Sequence, residues 1–337
     1  MRYAGIDIHN HVEFAGTFDI LKKRYSEEEI FNRFQVPVTG RRSAEMNRGI
    51  FSSIRDQLRD PLKKIRDMDE KKIEVYVLSC SPFNFFYEVE GDLAVELARF
   101  HNNQLSEMVK KHPGRFAAMA TLPLQVPNEA LKELERAIKT LGLRGVEIGS
   151  HVNQQELGDD AFWPIYKTLE ELDVPIFIHP HLVAGSDRLE DFYLHNFIGN
   201  PLDTTIAAAR LIFSGVLEKY PGLKIVLAHA GGQLPYIIGR IEHGYHVRPE
   251  CQEKIHRSPW TFFKSFYFDT ITHNPDTLRY LISLAGSDHV LLGSDYPYDM
   301  ADQDPVQTVS RLSGIKAKDR QNIIRENAIA VFGLKAS

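Results

Sequence analysis

The sequence alternates eight times between a short apolar or β-branched run and a longer segment of helical periodicity. Several runs are apolar at consecutive positions, which is typical of parallel strands that are buried on both faces. Eight strand–helix units in a chain of 337 residues favour a closed barrel over an open doubly wound sheet. The predicted strands are Tyr3–Ile8, Ile73–Leu78, Phe116–Leu122, Gly145–Ile148, Val174–Ile178, Lys224–Ala228, Phe266–Thr270 and Val290–Gly293.

The segments between these runs carry apolar residues at the three- and four-residue spacing of an amphipathic helix. No low-complexity tract, internal repeat or Pro/Gly/Ser-rich linker divides the sequence. We therefore expect residues 1–337 to form one domain. The predicted helices are Asp92–Lys111, Asn128–Thr140, Trp163–Glu171, Asp203–Lys219 and Asp276–Ala285.

The connection between the first and second predicted strands is longer than any other in the sequence. Its later part, Ile50–Met68, is charged and has a helical pattern. Its aromatic content favours an ordered cap over the barrel mouth rather than a disordered loop. The expected fold is therefore an α/β fold, a distorted (β/α)8 TIM barrel with a small insertion domain, residues 13–68, after strand 1. The aromatic residues concerned are Phe14, Phe18, Tyr25, Phe31 and Phe34.

Composition and charge exclude several classes of partner. The formal net charge of -5 gives no reason to expect nucleic acid or an acidic membrane surface as a partner. Two cysteines, Cys80 and Cys251, do not form a disulfide framework. No apolar run resembles a signal peptide or reaches the ~20 residues that span a bilayer. We expect a cytoplasmic protein whose small anionic ligand is met by local cations.

Polar residues follow four of the predicted strands, and barrel enzymes carry their catalytic groups at these carboxyl ends. His9 and His11 lie two residues apart, so in an extended chain both face the same side. A His-x-His pair alone is weak evidence, but further candidates at separate strand ends strengthen it: His179 follows strand five and Asp295 follows strand eight. Imidazoles and a carboxylate together suit Zn²⁺, Mn²⁺ or Fe²⁺.

Five motifs resemble the decarboxylase branch of the amidohydrolase superfamily. They are DIHNHVE, GVEIGSHVN, FIHPH, KIVLAHAGGQLPYIIGRIEHG and LLGSDYPYD, and the resemblance extends from Ile6 to Gly333. It implies one divalent ion, zinc first and manganese second. It also implies that His229 is a general base. Asp295 is implied to have two roles, as a catalytic residue beside His229 and as a metal ligand. The implied ligands are His9, His11, His179 and Asp295.

The end of strand four bears on the number of ions. Two-metal members of the superfamily often bridge their ions with a carbamylated lysine at this position. The segment Arg144–Gly149 contains no lysine, so one ion is expected.

The chemistry implied by the resemblance is a non-oxidative decarboxylation of an unsaturated or aromatic carboxylate. A divalent ion lowers the pKa of bound water towards ~7, and His229 would take a proton from that water and return one to carbon. The alternative for His229 is a structural histidine in the glycine turn, but its position directly after strand six favours catalysis. Two other functions remain open: a metal-dependent hydrolase or hydratase, and a non-catalytic metal-binding scaffold.

Two arginines are implied as substrate contacts. In the family, the arginine matching Arg240 reaches into the neighbouring subunit and holds a substrate carboxylate, so a homodimer with a shared active site is expected. The planar guanidinium suits this role because it pairs with a carboxylate through two hydrogen bonds. The alternative is an ordinary surface arginine. A second family arginine corresponds to Arg55 in the insertion, with Arg48 and Arg59 left as alternatives.

Three further positions are predicted substrate contacts, and there the sequence departs from the family pattern. His181 stands where the family has a tryptophan; it is a further polar contact or, alternatively, a residue behind the direct contacts, and it is not expected to be a metal ligand. Phe192 lies near the position of a second, substrate-contacting tryptophan. His273 follows strand seven. These differences concern the substrate and leave the metal ligands unchanged.

Overall fold

The computed structural model describes residues 5–335, and each of its eight principal strands overlaps one of the eight predicted runs, with different ends in most cases. Tyr3 and Ala4, the start of the first predicted strand, lie outside the described residues. The strands are β1 Gly5–Val12, β2 Ile73–Cys80, β3 Phe116–Ala118, β4 Val146–Gly149, β5 Ile176–His179, β6 Ile225–Leu227, β7 Phe266–Asp269 and β8 Val290–Leu291. A short antiparallel hairpin, His151–Val152 with Gln155–Glu156, follows β4.

The eight strands are parallel and close into a ring. Strands β1 to β3 form one run of paired strands, and β4 to β8 form a second. Two parallel bridges join the runs: Ala120 with Val146 between β3 and β4, and Asn10 with Tyr296 beyond β8. The amide of Ile8 also donates to the carbonyl of Leu292 at 2.9 Å. The predicted barrel is confirmed, and its distortion lies in the short strands β3 and β8.

Helices surround the ring and alternate with the strands. The predicted helix Asp203–Lys219 is wrong in one respect: it is two helices, because Gly215 adopts a left-handed conformation with φ +86 and ends the first one. Most of the other helices have a proline in their first turn. Backbone N–H groups there have no partner within the helix, so a proline at this position costs no hydrogen bond. The helices are Gly91–Lys111, Pro127–Lys139, Trp163–Glu171, Asn200–Phe213, Val216–Lys219, Leu234–Val247, Pro259–Phe263, Pro275–Ala285, Pro305–Ser310, Ala317–Gln321 and Asn327–Phe332.

The insertion between β1 and β2 is almost entirely helical. Its aromatic and aliphatic side chains pack on the helix Gly91–Lys111, for example Phe34 and Tyr25 with Leu93 and Leu97. This apolar contact orders the insertion and holds it beside the barrel mouth. The insertion helices are Gly16–Leu21, Glu27–Ile30, Val36–Thr39, Arg41–Ser53, Arg55–Arg59 and Pro61–Lys71, with a π-helical turn at Phe31–Gln35.

The interior of the barrel is apolar at one end and polar at the other. Inward-facing residues such as Ile8, Val77 and Phe177 pack with Val331 and Phe332 of the last helix, which covers the amino-terminal end of the ring. Polar side chains occupy the carboxyl-terminal end of the ring. Within residues 5–335, no helix combines the length and the apolar composition that crossing a bilayer requires.

Candidate metal centre

Four buried side chains converge at the carboxyl-terminal end of the barrel. Each offers one ligand atom, and these atoms all lie within 4.8 Å of one another. Nε2 of His9 and Nε2 of His11 lie 3.4 Å and 3.2 Å from Oδ1 of Asp295. Both nitrogens are buried and neither makes a well-directed hydrogen bond, so their donor set fits a metal ion. The four residues are His9, His11, His179 and Asp295.

An irregularity in β1 sets the direction of its two histidines. Asp7 pairs with Tyr76 and Asn10 with Leu78, so two residues of β1 stand opposite one of β2. Such a bulge twists the strand and redirects its side chains. The rings of His9 and His11 consequently lie nearly perpendicular, with centroids 5.1 Å apart.

Each histidine in the group is oriented through its Nδ1 atom. Nδ1 of His9 lies 2.7 Å from Oδ2 of Asp269, and Nδ1 of His179 lies 2.9 Å from the carbonyl oxygen of Pro180. Nδ1 of His11 lies 3.4 Å from the carbonyl of Cys80. Because these oxygens only accept, Nδ1 carries the proton in each contact and Nε2 is left as the ligand atom.

Asp269, at the end of β7, is a site residue that the sequence analysis missed. Besides its contact with His9, its carboxylate accepts hydrogen bonds from the backbone amides of His229 and Ala230, both at 2.7 Å. It therefore connects a predicted ligand with the turn that carries the predicted base. The signal was present, since Asp269 is a polar residue near the carboxyl end of the predicted strand Phe266–Thr270, at the same edge of the barrel as the ligands.

His229 lies beside the four-residue group without belonging to it. Its Nε2 is 3.7 Å from Oδ2 of Asp295, and its ring centroid is 5.2 Å from that of His179. The residue adopts φ +53 in the tight turn after β6. Gly232 permits this turn, because a Cβ there would approach the carbonyl oxygen of Pro201 to 2.0 Å.

Burial and mutual charge separate the protonation states of the group. Burial lowers the pKa of His11 to about 4 and that of His179 well below its usual value. Both imidazoles are therefore neutral and can offer a nitrogen electron pair to a metal ion. Burial also opposes the charge on Asp295, but His9 and the other neighbouring histidines hold its pKa well below the usual range. Burial would lower the pKa of His9 as well, but Asp295 and Asp269 raise it to about 9. When a metal ion is bound, His9 would lose this extra proton and the ion would supply the positive charge in its place.

Strand β4 brings Glu147 into the barrel interior, in the segment Arg144–Gly149 where the sequence analysis looked for a bridging lysine. The side chain is 1% exposed, and burial raises its pKa to about 8, so the neutral acid predominates at neutral pH. No residue of β4 is a lysine. Among residues 5–335, the group of side chains that could hold a metal ion is the four-residue group described above, and the number of ions stays a prediction.

A cavity of about 60 Å³ adjoins the metal centre. One wall is aromatic: the ring of Phe51, from the insertion, lies 5.2 Å from Phe83 and 6.0 Å from Tyr298. Another wall comes from the loop after β5 and includes His195, which the sequence analysis also missed. Among the residues that the structure describes, no arginine or lysine lines this cavity. The other lining residues are Val38, Thr39, Asn47, Ile50, Pro82, His179, Pro180, Tyr193, Asn196, Asn200, His229, Asp295 and Asp299.

The three insertion arginines lie on the far side of the aromatic wall. Arg48, Arg55 and Arg59 line a second cavity of about 170 Å³, which shares Phe51 and Phe83 with the first. Arg59 pairs with Glu13 at 3.3 Å, and the guanidinium of Arg48 lies 3.9 Å from the ring centroid of Phe31. The structure brings these cations close to the metal cavity but not into it.

The remaining predicted contacts do not line the metal cavity either. His181 is buried and turns to Glu88, with Nε2 and Oε1 2.9 Å apart. Phe192 is 81% exposed and borders an outer cavity beside Met46. His273 is exposed at the surface. Arg240 is exposed on the helix Leu234–Val247 and makes no hydrogen bond or ion pair with any of residues 5–335.

Comparisons with known proteins find a matching family and similar proteins. A family model described as Amidohydrolase matches residues 6–334. The 2-amino-3-carboxymuconate-6-semialdehyde decarboxylase of Dictyostelium discoideum is 31% identical, over 98% of this chain and 91% of that protein. The gamma-resorcylate decarboxylase of a Polaromonas species is 34% identical, over 81% of this chain and 87% of that protein.

A solved structure is similar over almost its whole length. It is a dihydroxybenzoic acid decarboxylase from a Polaromonas species, solved with manganese and the inhibitor 2-nitroresorcinol. It superposes with a TM-score of 0.82 at 27% identity, covering 99% of this chain and 98% of that one.

Proposed function

Because this chain belongs to the amidohydrolase family, we propose that it catalyses the metal-dependent, non-oxidative decarboxylation of a small aromatic or unsaturated carboxylate. The observation that carries the proposal is the position of His229 beside four convergent ligands, at a cavity with an aromatic wall. The decarboxylases among its relatives support the reaction type.

We propose one divalent ion per chain, held by His9, His11, His179 and Asp295. Three imidazole nitrogens and one carboxylate suit tetrahedral zinc, and the manganese in a similar structure supports manganese as the alternative. When bound, the ion supplies positive charge that stabilises negative charge on the substrate and makes water more acidic.

His229 moves the proton in this proposal. It takes a proton from water and delivers it to the carbon that bears the carboxylate, so that the new C–H bond forms from a π electron pair of the unsaturated substrate. The carbon–carbon bond then breaks, its electron pair restores the π system, and carbon dioxide leaves. The hydroxide that remains combines with a proton from solvent, so the net change replaces the carboxylate by hydrogen. The backbone amide of His229 donates a hydrogen bond to Asp269, which fixes the backbone of this turn. The imidazole is thereby held near one position while it accepts a proton and while it delivers one. Phe51, Phe83 and Tyr298 hold the unsaturated substrate and exclude water.

A partner subunit is proposed to complete the site. No arginine or lysine from the described part of the chain lines the metal cavity, although the proposed substrate is an anion. Arg240 is exposed and has no hydrogen-bond or ion-pair partner among residues 5–335, and the same helix exposes Tyr236 to 84% and Val247 to 56%. Residues four and seven apart share a helix face, so these three residues make one amphipathic surface. We propose a homodimer in which this face packs on the second copy and the partner subunit's Arg240 meets the substrate carboxylate.

The test is an assay of purified protein loaded with zinc or with manganese. The substrates are a panel of hydroxybenzoates, muconates and lactones, and both substrate loss and carbon dioxide are measured. Equal amounts of carbon dioxide and decarboxylated product support the proposal. Loss of a substrate without carbon dioxide, and with uptake of water, would instead identify a hydrolase or hydratase that uses the same metal centre.

A further inference from the structure

His195 is a buried polar side chain at the metal cavity whose hydrogen-bonding capacity is unused. The residue is 5% exposed and lines the cavity that also contains His179, His229 and Asp295. Neither ring nitrogen has a hydrogen-bond partner among residues 5–335, and Nδ1 is completely buried. Buried polar groups in folded proteins are normally paired, so a group without a partner at a ligand cavity points to a ligand.

The ring of His195 is held in place by its surroundings. The ring of Tyr193 packs against it edge to face with centroids 4.8 Å apart, and the Tyr193 hydroxyl donates to Asp299 at 3.2 Å. The backbone amide of His195 donates to the carbonyl of Leu189 at 3.2 Å, and the residue begins the π-helical turn His195–Gly199. With this packing the residue is only 5% exposed and forms part of the cavity wall.

The wall around His195 is neutral. Burial lowers the pKa of His195 to about 4, so its imidazole is uncharged at neutral pH and carries one donor and one acceptor nitrogen. Its neighbours along the wall, Asn196 and Asn200, are amides, and Asn47 faces the same cavity from the insertion. A hydroxyl group, which both donates and accepts, matches such a wall. A second carboxylate would meet no arginine or lysine of the described chain there, and it would lie in a cavity that already contains Asp299.

We propose that His195 is a specificity-determining residue that hydrogen-bonds a neutral hydroxyl group of the substrate, so that the chain prefers hydroxylated aromatic monocarboxylates over aromatic dicarboxylates. The inference rests on the proposed function for the nature of the substrate. It adds that the recognised substituent is a hydroxyl group and that the side chain of His195 binds it.

The test measures binding rather than turnover, using full-length protein loaded with one metal ion. Dissociation constants are obtained by calorimetry for benzoate, the three monohydroxybenzoates and isophthalate. We expect one monohydroxybenzoate to bind at least about tenfold more tightly than benzoate and isophthalate, because it satisfies a buried group that the others leave unpaired. His195→Phe should reduce this preference to less than about threefold, with the benzoate constant unchanged. His195→Gln, which retains a donor and an acceptor, should keep part of the preference.

Matched controls separate recognition from folding. His256→Phe makes the same substitution at an exposed histidine that lines no part of the cavity, and it should bind as wild type. Metal content and melting temperature should be the same in all variants. The inference is overturned if His195→Phe keeps the preference, if isophthalate binds wild type as tightly as every hydroxybenzoate, or if no aromatic acid binds. A wild-type preference that depends on His195, without carbon dioxide release from any substrate, would overturn the proposed function and leave this inference standing.

Discussion

The carboxylate of Asp269 lies 2.7 Å from Nδ1 of His9, so the acid at the end of β7 determines which nitrogen of that imidazole faces the metal position. The contact is completely buried on both sides. Because the same carboxylate accepts hydrogen bonds from the backbone amides of His229 and Ala230, one side chain orients a proposed ligand and fixes the turn that carries the proposed base.

The first prediction concerns Asp269. Asp269→Asn should lower the affinity for the divalent ion about 10- to 100-fold, because an amide cannot hold the His9 tautomer as a carboxylate does. Metal affinity is measured by competition with a chelator of known affinity. Asp288→Asn, a change at an exposed acid, is the control and should bind metal as wild type. Equal affinities in the two variants would contradict the orienting role.

The second prediction concerns the ion itself. Elemental analysis of the purified protein should find about one divalent ion per chain. His9→Ala, His179→Ala and Asp295→Ala should each lose the ion and all activity, since each removes one of four ligands from a buried site. Two ions per chain, or an active metal-free enzyme, would show that the proposed centre is wrong.

The third prediction separates the base from the ligands. His229→Ala should retain its metal but lose activity by the ~10²–10⁴ that is typical of a general base. His229 lies 3.7 Å from Asp295 and outside the four-residue group, so removing its imidazole leaves the ligands in place. Metal content and rate are measured on the same preparation. If metal is lost together with activity, His229 is a ligand.

The fourth prediction concerns the shared site. Arg240→Ala should impair substrate use and leave metal content and folding unchanged. Mixing Arg240→Ala with His229→Ala chains should restore a fraction of the activity, because one site of each hybrid dimer then has both groups. Arg248→Ala is the control: it removes another exposed arginine just after the same helix, one that pairs with Glu250. If subunits exchange and no activity returns, Arg240 does not serve a partner subunit.

The fifth prediction concerns stability and pH. Burial lowers the pKa of His101 from 6.5 to about 3, so the folded state keeps this histidine neutral while the unfolded state binds a proton below pH 6.5. The stability that this histidine contributes is complete above pH 6.5 and is lost progressively as the pH falls towards 3. Between pH 7 and pH 5 the loss should be about 2 kcal/mol.

The measurement for His101 is urea unfolding of the metal-loaded protein at both pH values. His101→Gln, which can still bond the Thr17 hydroxyl that lies 2.8 Å from Nε2, should lose about 2 kcal/mol less than wild type over this interval. His256→Gln, at an exposed histidine, should keep the wild-type dependence. The same loss in wild type and in His101→Gln would exclude His101 as the source.

The sequence by itself determined the barrel and the convergence of the four ligand residues. Buried parallel strands appear in a sequence as short apolar runs, and the carboxyl ends of parallel strands must meet at one end of a closed ring. A polar residue directly after such a run is thereby placed in three dimensions by local information alone. His179 and Asp295 were predicted for this reason, and Asp269 could have been found by the same rule.

Only the tertiary structure decided where the residues of the long loops lie. The insertion and the loop after β5 have no periodicity that fixes the direction of a side chain, so packing between distant segments sets it. Arg55 consequently lies behind the Phe51–Phe83 pair, and His181 turns to Glu88. His195, which no motif singled out, lines the cavity because its loop folds back against the insertion and the strand ends. Regular strands carry their geometry in sequence spacing, whereas a loop acquires its geometry only from the surfaces it packs against.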